Sequence, residues 1–306
     1  MKLRFDIKGK KQPDPFIFED EGKFYIFATG YDGVEAYSAD DIFGVWKYEG
    51  IVTAFERGFD FWAPSVIKYN GKYYMYVSCR GAEGENELMR VAVADSPLGP
   101  YKNEKVLYDE FSIDSHAVET EDGLFLWLSM NDWSFDEVRR AGTRIFVVKM
   151  KDPYTPDGEP VEKIVPTLDE EKFTPQCNDK IQWHTIEGAF WFKEGEYQYL
   201  MYSGGCYQDD TYHIGYCAAK SDEQDLRKVD FVKVTKDGGF NPVIIKNEFE
   251  EGTGHHSVIK HNGTYYAIYH GRDTGVYDKN AEYVEERTAR ICKLIVKDGI
   301  ITAEQH

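Results

Sequence analysis

A glycine followed by alternating aromatic and aliphatic residues recurs five times in this chain, and that repeat restricts the fold more than any other feature. The copies are "GKFYIFAT" from Gly22, "GKYYMYVS" from Gly71, "GLFLWLSM" from Gly123, "GEYQYLMYS" from Gly195 and "GTYYAIYHG" from Gly263. A short apolar segment precedes each glycine: "DPFIFEDE", "APSVIKYN", "SHAVETED", "GAFWFKE" and "HSVIKHN". An apolar run, a polar turn with Gly and a second apolar run make the pattern of a β-hairpin. A third strand-like run follows each hairpin ("GVEAYSAD", "ELMRVAVAD", "TRIFVVKM", "YHIGYCAAK" and "TARICKLIV"), and weaker fourth strands, "EKVLYD" and "VEKIV", follow some of them.

Units of three or four strands recurring every ~50 to 70 residues are the mark of a β-propeller. Their uneven spacing argues against a strict repeat such as WD40. Few stretches carry a 3.6-residue apolar period, which argues against an α/β fold. A β-sandwich with long insertions is the remaining alternative. The expected fold is therefore all-β, a five-bladed β-propeller, with residues 1–306 consumed by a single domain.

Charge and composition narrow the partners. The formal net charge is -18, so phosphate backbones and anionic lipid are repelled; neither nucleic acid nor a membrane surface is an expected partner. No apolar run approaches the roughly 20 residues needed to span a bilayer. The N-terminal "MKLRFDIKGKKQPDP" has no apolar core of the kind a signal peptide needs, and the five cysteines lack CxxC spacing. Both features lead to the expectation of a cytoplasmic protein with free, structural thiols. No glycine-rich stretch matches a dinucleotide or phosphate loop, so no cofactor is expected to be required.

The innermost strand of each propeller blade lines the central channel. Asp14, Glu187 and His255 each stand eight residues before a hairpin glycine, and Asp114 and Trp62 stand nine before theirs. Equivalent blades would project all five toward the axis at one end of the channel. Burying three carboxyls together is costly unless a site uses them. Paired carboxyls facing one pocket suit glycosidic bond cleavage, in which an acid protonates the leaving oxygen and a base activates water. The third carboxyl can then hold the acid's pKa up.

The pieces "PDPFIF", "FWAPSVIKYNGKYYMY", "SIDSHAVETEDG", "TIEGAFWFKEGEYQYLMYS" and "GTGHHSVIKHNGTYYAIYHGR", in that order, resemble glycoside hydrolase family 43 from about Pro13 to Ile301. That family comprises five-bladed propellers acting on arabinose- and xylose-containing glycans with inversion. The resemblance implies Asp14 as general base, Glu187 as general acid and Asp114 as the modulator of its pKa. It also implies Trp62 in the sugar pocket, His255 in the channel with a calcium ion or water, and an arginine near the sugar. That arginine is Arg287 or Arg290, with Arg287 favoured; the bland alternative is a surface arginine paired with Glu285 or Glu286. His184 could rim the pocket or simply be hydrogen-bonded. Either His255 or His256 faces the axis, since strand alternation sends neighbours to opposite faces. The chain departs from the family in Pro13 before Asp14 and in Ala189 after Gly188.

The resulting expectation is an inverting exo-α-L-arabinofuranosidase acting on arabinan or arabinoxylan oligosaccharides. A β-D-xylosidase and an endo-arabinanase are the alternatives within the family. A non-catalytic carbohydrate-binding propeller is the alternative outside it, disfavoured because such a protein does not need all three acids.

Overall fold

The computed structural model describes residues 1–135 and 140–305. It is a five-bladed β-propeller with no α-helix among the described residues. Blade I comprises the strands Phe16–Asp20, Lys23–Ala28, Glu35–Ala39 and Val45–Ile51. Blade II comprises Phe59–Tyr69, Lys72–Arg80, Leu88–Ala94 and Lys102–Val106, and blade III comprises Ser112–Thr120, Gly123–Asp132, Gly142–Asp152 and Val161–Ile164. Blade IV runs through His184–Glu194, Tyr197–Gly204, His213–Lys220 and the short Val232–Lys233, and blade V through Glu250–His261, Thr264–Asp273, Thr288–Lys297 and Ile300–Glu304. The first strand of each blade pairs antiparallel with the second, as the hairpin reading requires.

The second strands explain the aromatic repeats. Successive side chains on a strand point to opposite faces. In blade I, Tyr25 and Phe27 pack on blade II through Met75 and Val77, while Phe24 and Ile26 pack on blade V through Ile268 and Ile291. In blade III, Leu124, Leu126 and Leu128 meet blade II, while Phe125 and Trp127 meet blade IV. Blades IV and V meet through Tyr199, Met201, Ala267 and Tyr269. These strands are therefore apolar on both faces, and the alternation lies between two neighbours rather than between core and water.

Two seams depart from simple stacking. Gly142 and Thr143 of blade III pair parallel with His184 and Thr185 of blade IV, so the two blades share one continuous sheet. The ring closes through the N-terminal segment. Met1 and Leu3 bond to Ile291 and Ala289 of blade V, and the next residues, Arg4–Phe5, pair with Val45 and Trp46 of blade I. Leu3 is buried between the two blades.

Leu3→Ala is therefore expected to destabilise the protein by about 2 to 3 kcal/mol, the cost of a partly relaxed core cavity. Urea unfolding should register this as a lower midpoint with an unchanged slope; an unaltered midpoint would mean that the segment does not close the ring.

Candidate active site

The innermost strands do not start regularly. In each blade one residue at the hub takes a left-handed conformation: Asp14, Ala63, Asp114, Gly188 and His255, with φ of 53°, 45°, 59°, 62° and 42°. The strand register shifts beside these positions in blades II to V. A non-glycine residue held there costs of order 1–3 kcal/mol, least for Asp and His, and such strain gathers at functional sites. The five positions singled out by spacing are thus not one equivalent ring. Asp14, Asp114 and His255 occupy the left-handed residue itself, whereas Trp62 and Glu187 occupy the residue before it. The bulges explain the difference, because each inserts an unpaired residue that re-aims its neighbours.

The hub opens into a cleft of about 830 Å³ lined by Asp14, Trp62, Asp114, Glu187, His255 and Arg287, together with Tyr207, Tyr212, Tyr283 and Glu285. Six of the seven candidate residues therefore converge. The seventh, His184, does not. Its backbone is held at the seam between blades III and IV, and it does not line the cleft. Nδ1 faces the Gln182 carbonyl at 2.9 Å, and Nε2 accepts from Arg140 at 2.8 Å. It is a buried structural histidine.

Asp14 is the most constrained group in the cleft. Oδ2 accepts from the Thr29 hydroxyl at 2.6 Å, Oδ1 accepts from Arg287 Nη1 at 3.0 Å, and its backbone N–H donates to His270 Nδ1 at 3.1 Å. Thr29 Oγ1 also accepts the N–H of Ala63, the left-handed residue of blade II, at 2.8 Å. Burial disfavours the charge on Asp14, but the Arg287 guanidinium outweighs it and holds the carboxyl well below its usual range. Arg287 is fixed in turn by Glu285 and by the Tyr207 ring, 4.6 Å from the guanidinium carbon. Arg290 binds Glu250 and Asp273 instead, so the choice between the two arginines falls on Arg287.

Asp114 and Glu187 are pushed the other way. Burial and the charges of Glu187 and Asp14 raise the Asp114 carboxyl well above its usual value, against the opposing hydrogen bond from the Gly188 N–H at 3.1 Å. Gly188 suits this contact because its positive φ turns that N–H toward Asp114 while the His255 ring packs over its Cα face. Burial raises Glu187 to about 7, with the charge of Asp14 adding to it and the Tyr212 and Arg287 contacts opposing it. Asp114 and Glu187 behave as a pair that retains a proton near neutrality.

His255 Nδ1 lies 3.6 Å from Asp14 and 3.7 Å from Asp114, and burial keeps the ring neutral by lowering its pKa. His256 does not simply turn away. The bulge at Gly254 breaks the alternation, so both rings border a small void beneath the acids, with His116 beside them. This donor set does not suit calcium, which takes 6–8 oxygen ligands. The void is lined by three imidazoles, by Phe16 and Phe190 and by only two oxygen-bearing side chains, Asp14 and Ser115, and among the described residues no three His, Cys, Asp or Glu side chains converge to hold a metal ion.

Three residues that contact the acids carry no signal of their own in the sequence, Thr29, Tyr212 and His270, and neither does Tyr207, which packs on Arg287. His270 falls inside the quoted "GTYYAIYHGR" piece and Tyr212 inside the "DDTYHIGY" run, yet a tyrosine or histidine in an aromatic strand reads as core.

The fold and this constellation define a glycoside hydrolase with buried, differently protonated carboxyls. The chain belongs to the glycosyl hydrolases family 43, whose model matches residues 7–301, and it is thus an inverting glycosidase. It is 25% identical over 283 residues to a probable arabinan endo-1,5-alpha-L-arabinosidase C of Aspergillus clavatus, covering 86% of this chain and 83% of that one. It is 26% identical to an extracellular exo-alpha-(1->5)-L-arabinofuranosidase of Streptomyces avermitilis, covering 87% of this chain and 55% of the other. A thermostable family-43 glycoside hydrolase superposes with a TM-score of 0.81 at 28% identity, over 98% of this chain and 95% of its own. The alpha-L-arabinofuranosidase of Lactobacillus brevis shares the fold with a TM-score of 0.78 at 20% identity, over 95% and 93%.

Thr29→Val keeps the shape but removes the donor to Asp14 and strands the Ala63 N–H. It is expected to cost about 1 to 3 kcal/mol of stability and to lower hydrolytic activity, while Thr29→Ser retains both. Thermal unfolding and rate assays of the two variants side by side check this; equal activity in both would detach Thr29 from the site.

Proposed function

We propose that this enzyme is an exo-acting α-L-arabinofuranosidase that releases arabinose from arabinan or arabinoxylan oligosaccharides, with Asp14 as general base, Glu187 as general acid and Asp114 as modulator of the acid's pKa. The observation that carries the assignment of roles is the opposite displacement of the carboxyls. Arg287 keeps Asp14 ionised, as a base must be, and burial raises Glu187 to about 7, so that it holds its proton at pH values where an ordinary carboxyl has lost it.

In the reaction so assigned, Asp14 takes a proton from water as the water oxygen bonds to the anomeric carbon. The glycosidic C–O bond breaks, its electron pair stays on the leaving oxygen, and that oxygen takes the Glu187 proton. Asp114 stays beside Glu187, accepts the Gly188 N–H and disfavours a second negative charge there. Activity then falls at low pH as Asp14 gains a proton and at high pH as Glu187 loses its own.

Arabinose as the sugar is supported by the names of the relatives from Aspergillus clavatus and Streptomyces avermitilis. One flank of the cleft is formed by residues 7–13. Lys11 pairs with Glu286 and Gln12 N–H bonds to Arg287 O, which tie that flank to the segment carrying Glu285 and Arg287. The free state of all five cysteines supports a cytoplasmic location, which fractionation of the source cells tests directly.

The deciding experiment is proton NMR of the enzyme acting on arabino- and xylo-oligosaccharides. β-Arabinose as the first anomer released is the expected result. First release of α-xylose would move the substrate to xylosides, and a spread of longer arabinan fragments would make the enzyme an endo-arabinanase. For the roles, Asp14→Ala should abolish turnover of every substrate. Glu187→Ala should slow natural glycosides by at least about a hundredfold while largely sparing aryl glycosides whose leaving group needs no proton. Equal losses on both substrate types would remove Glu187 from the acid role.

A further inference from the structure

Tyr212 is buried in the third-strand region of blade IV and donates its phenol proton to Glu187 Oε1 at 2.7 Å. Its ring lies nearly parallel to that of His270, with centroids 5.5 Å apart and an interplanar angle of 12°. His270 is the residue whose Nδ1 accepts the backbone N–H of Asp14. The ring reaches this place only because position 254, on the innermost strand of blade V, is glycine; a Cβ there would overlap the Tyr212 ring. The phenol is thus held between Glu187 and the blade V residues Gly254 and His270, the second of which accepts the Asp14 N–H.

We propose that Tyr212 is a positioning residue for proton delivery, fixing which oxygen of Glu187 carries the transferable proton and stabilising the carboxylate left after transfer. This rests on the reading of Glu187 as the general acid. The phenol O–H donates to Oε1, which favours Oε1 as the carbonyl oxygen, the better acceptor, and places the acidic proton on Oε2. When Oε2–H passes to the leaving oxygen, Glu187 becomes an anion, and the neutral hydrogen bond from Tyr212 becomes a charge-assisted one, roughly twice as strong. An interaction that strengthens along the reaction lowers the barrier rather than tightening the ground state. Tyr212 remains the donor throughout, because burial and the charges of Glu187 and Asp114 push its own pKa well above 10.

The other charged or titratable groups facing Glu187 are Asp14 and Asp114 from blades I and III, Arg287 and His255 from blade V, and Tyr207. Asp14 pushes the Glu187 pKa up, and Arg287 and Tyr212 pull it down. Deleting only the phenol oxygen leaves the other groups in place. The Glu187 pKa must then rise, which makes it a weaker acid that stays protonated to higher pH.

The test is Tyr212→Phe, which keeps the ring on His270, compared with wild type and Glu187→Ala. Each is assayed on an arabino-oligosaccharide and on an aryl arabinofuranoside with a good leaving group. For Tyr212→Phe, kcat on the oligosaccharide should fall about tenfold with KM little changed, and the aryl substrate should be spared. The high-pH limb of the kcat/KM profile should move upward by about one unit. A loss shared equally by both substrates, or an unmoved limb, overturns the proposal and leaves Tyr212 a packing residue. If Glu187→Ala also lacks leaving-group dependence, the acid assignment itself has failed. If Glu187→Ala shows that dependence and Tyr212→Phe does not, only the positioning role has. Should Tyr212→Phe fold poorly, Tyr212→Leu, which also lacks the donor, provides the second comparison: a loss confined to the oligosaccharide supports the role, and a loss shared equally by both substrates overturns it.

Discussion

Each sheet in this molecule has two apolar faces, and neither can meet water. A four-stranded blade cannot bury both faces on its own, so each is driven against a neighbour on either side, and five such blades satisfy one another by closing a ring. Five of the six apolar clusters among the described residues are each shared by two adjacent blades, with blades I and V joined as the other pairs are. The closing seam carries the N-terminal segment as a strap, with Leu3 in the apolar joint and backbone bonds to both blades. What the ring leaves at its centre is a hub where the innermost strands converge but cannot pair with one another.

That hub is where polar groups become expensive and therefore informative. Three carboxyls enter it, and the structure treats them unequally. Asp14 receives a guanidinium and a hydroxyl at its carboxyl, and its backbone N–H is taken up by His270 Nδ1. Asp114 and Glu187 receive single donors, the Gly188 N–H and the Tyr212 phenol, and no cation of their own. One acid is therefore stabilised as an anion while the other two are left to hold a proton between them. Hydrolysis with inversion needs this asymmetry, and it arises from burial combined with one well-placed arginine rather than from any difference in the carboxyls themselves.

The repeats made much of this legible. Spacing from the hairpin glycines located Asp14, Asp114, Glu187, Trp62 and His255 near one end of the channel, because a propeller maps position along its unit onto radius. It failed in detail where the strands are irregular. The bulges at the hub place Trp62 and Glu187 one residue off the others, and at Gly254 a bulge brings both His255 and His256 to the axial void. His184, three residues before Glu187, looked like a rim residue by proximity; backbone pairing across the seam between blades III and IV holds it outside the cleft. The void beside His255, where the resemblance allowed a calcium ion or a water, offers mainly imidazoles and phenyl rings, with Asp14 and Ser115 its only oxygen-bearing side chains among the described residues.

The sequence by itself determined the hairpin repeat, the number of blades, the family and the identity of the three acids, since each is written in local spacing or in short motifs. Only the tertiary structure decided which acid is charged. Arg287 and Asp14 are 273 positions apart, Asp14 and His270 are 256 apart, and nothing local to either end signals the contact. A carboxyl's pKa is set by the groups that surround it in space and by the water it loses, and both exist only once the ring has closed.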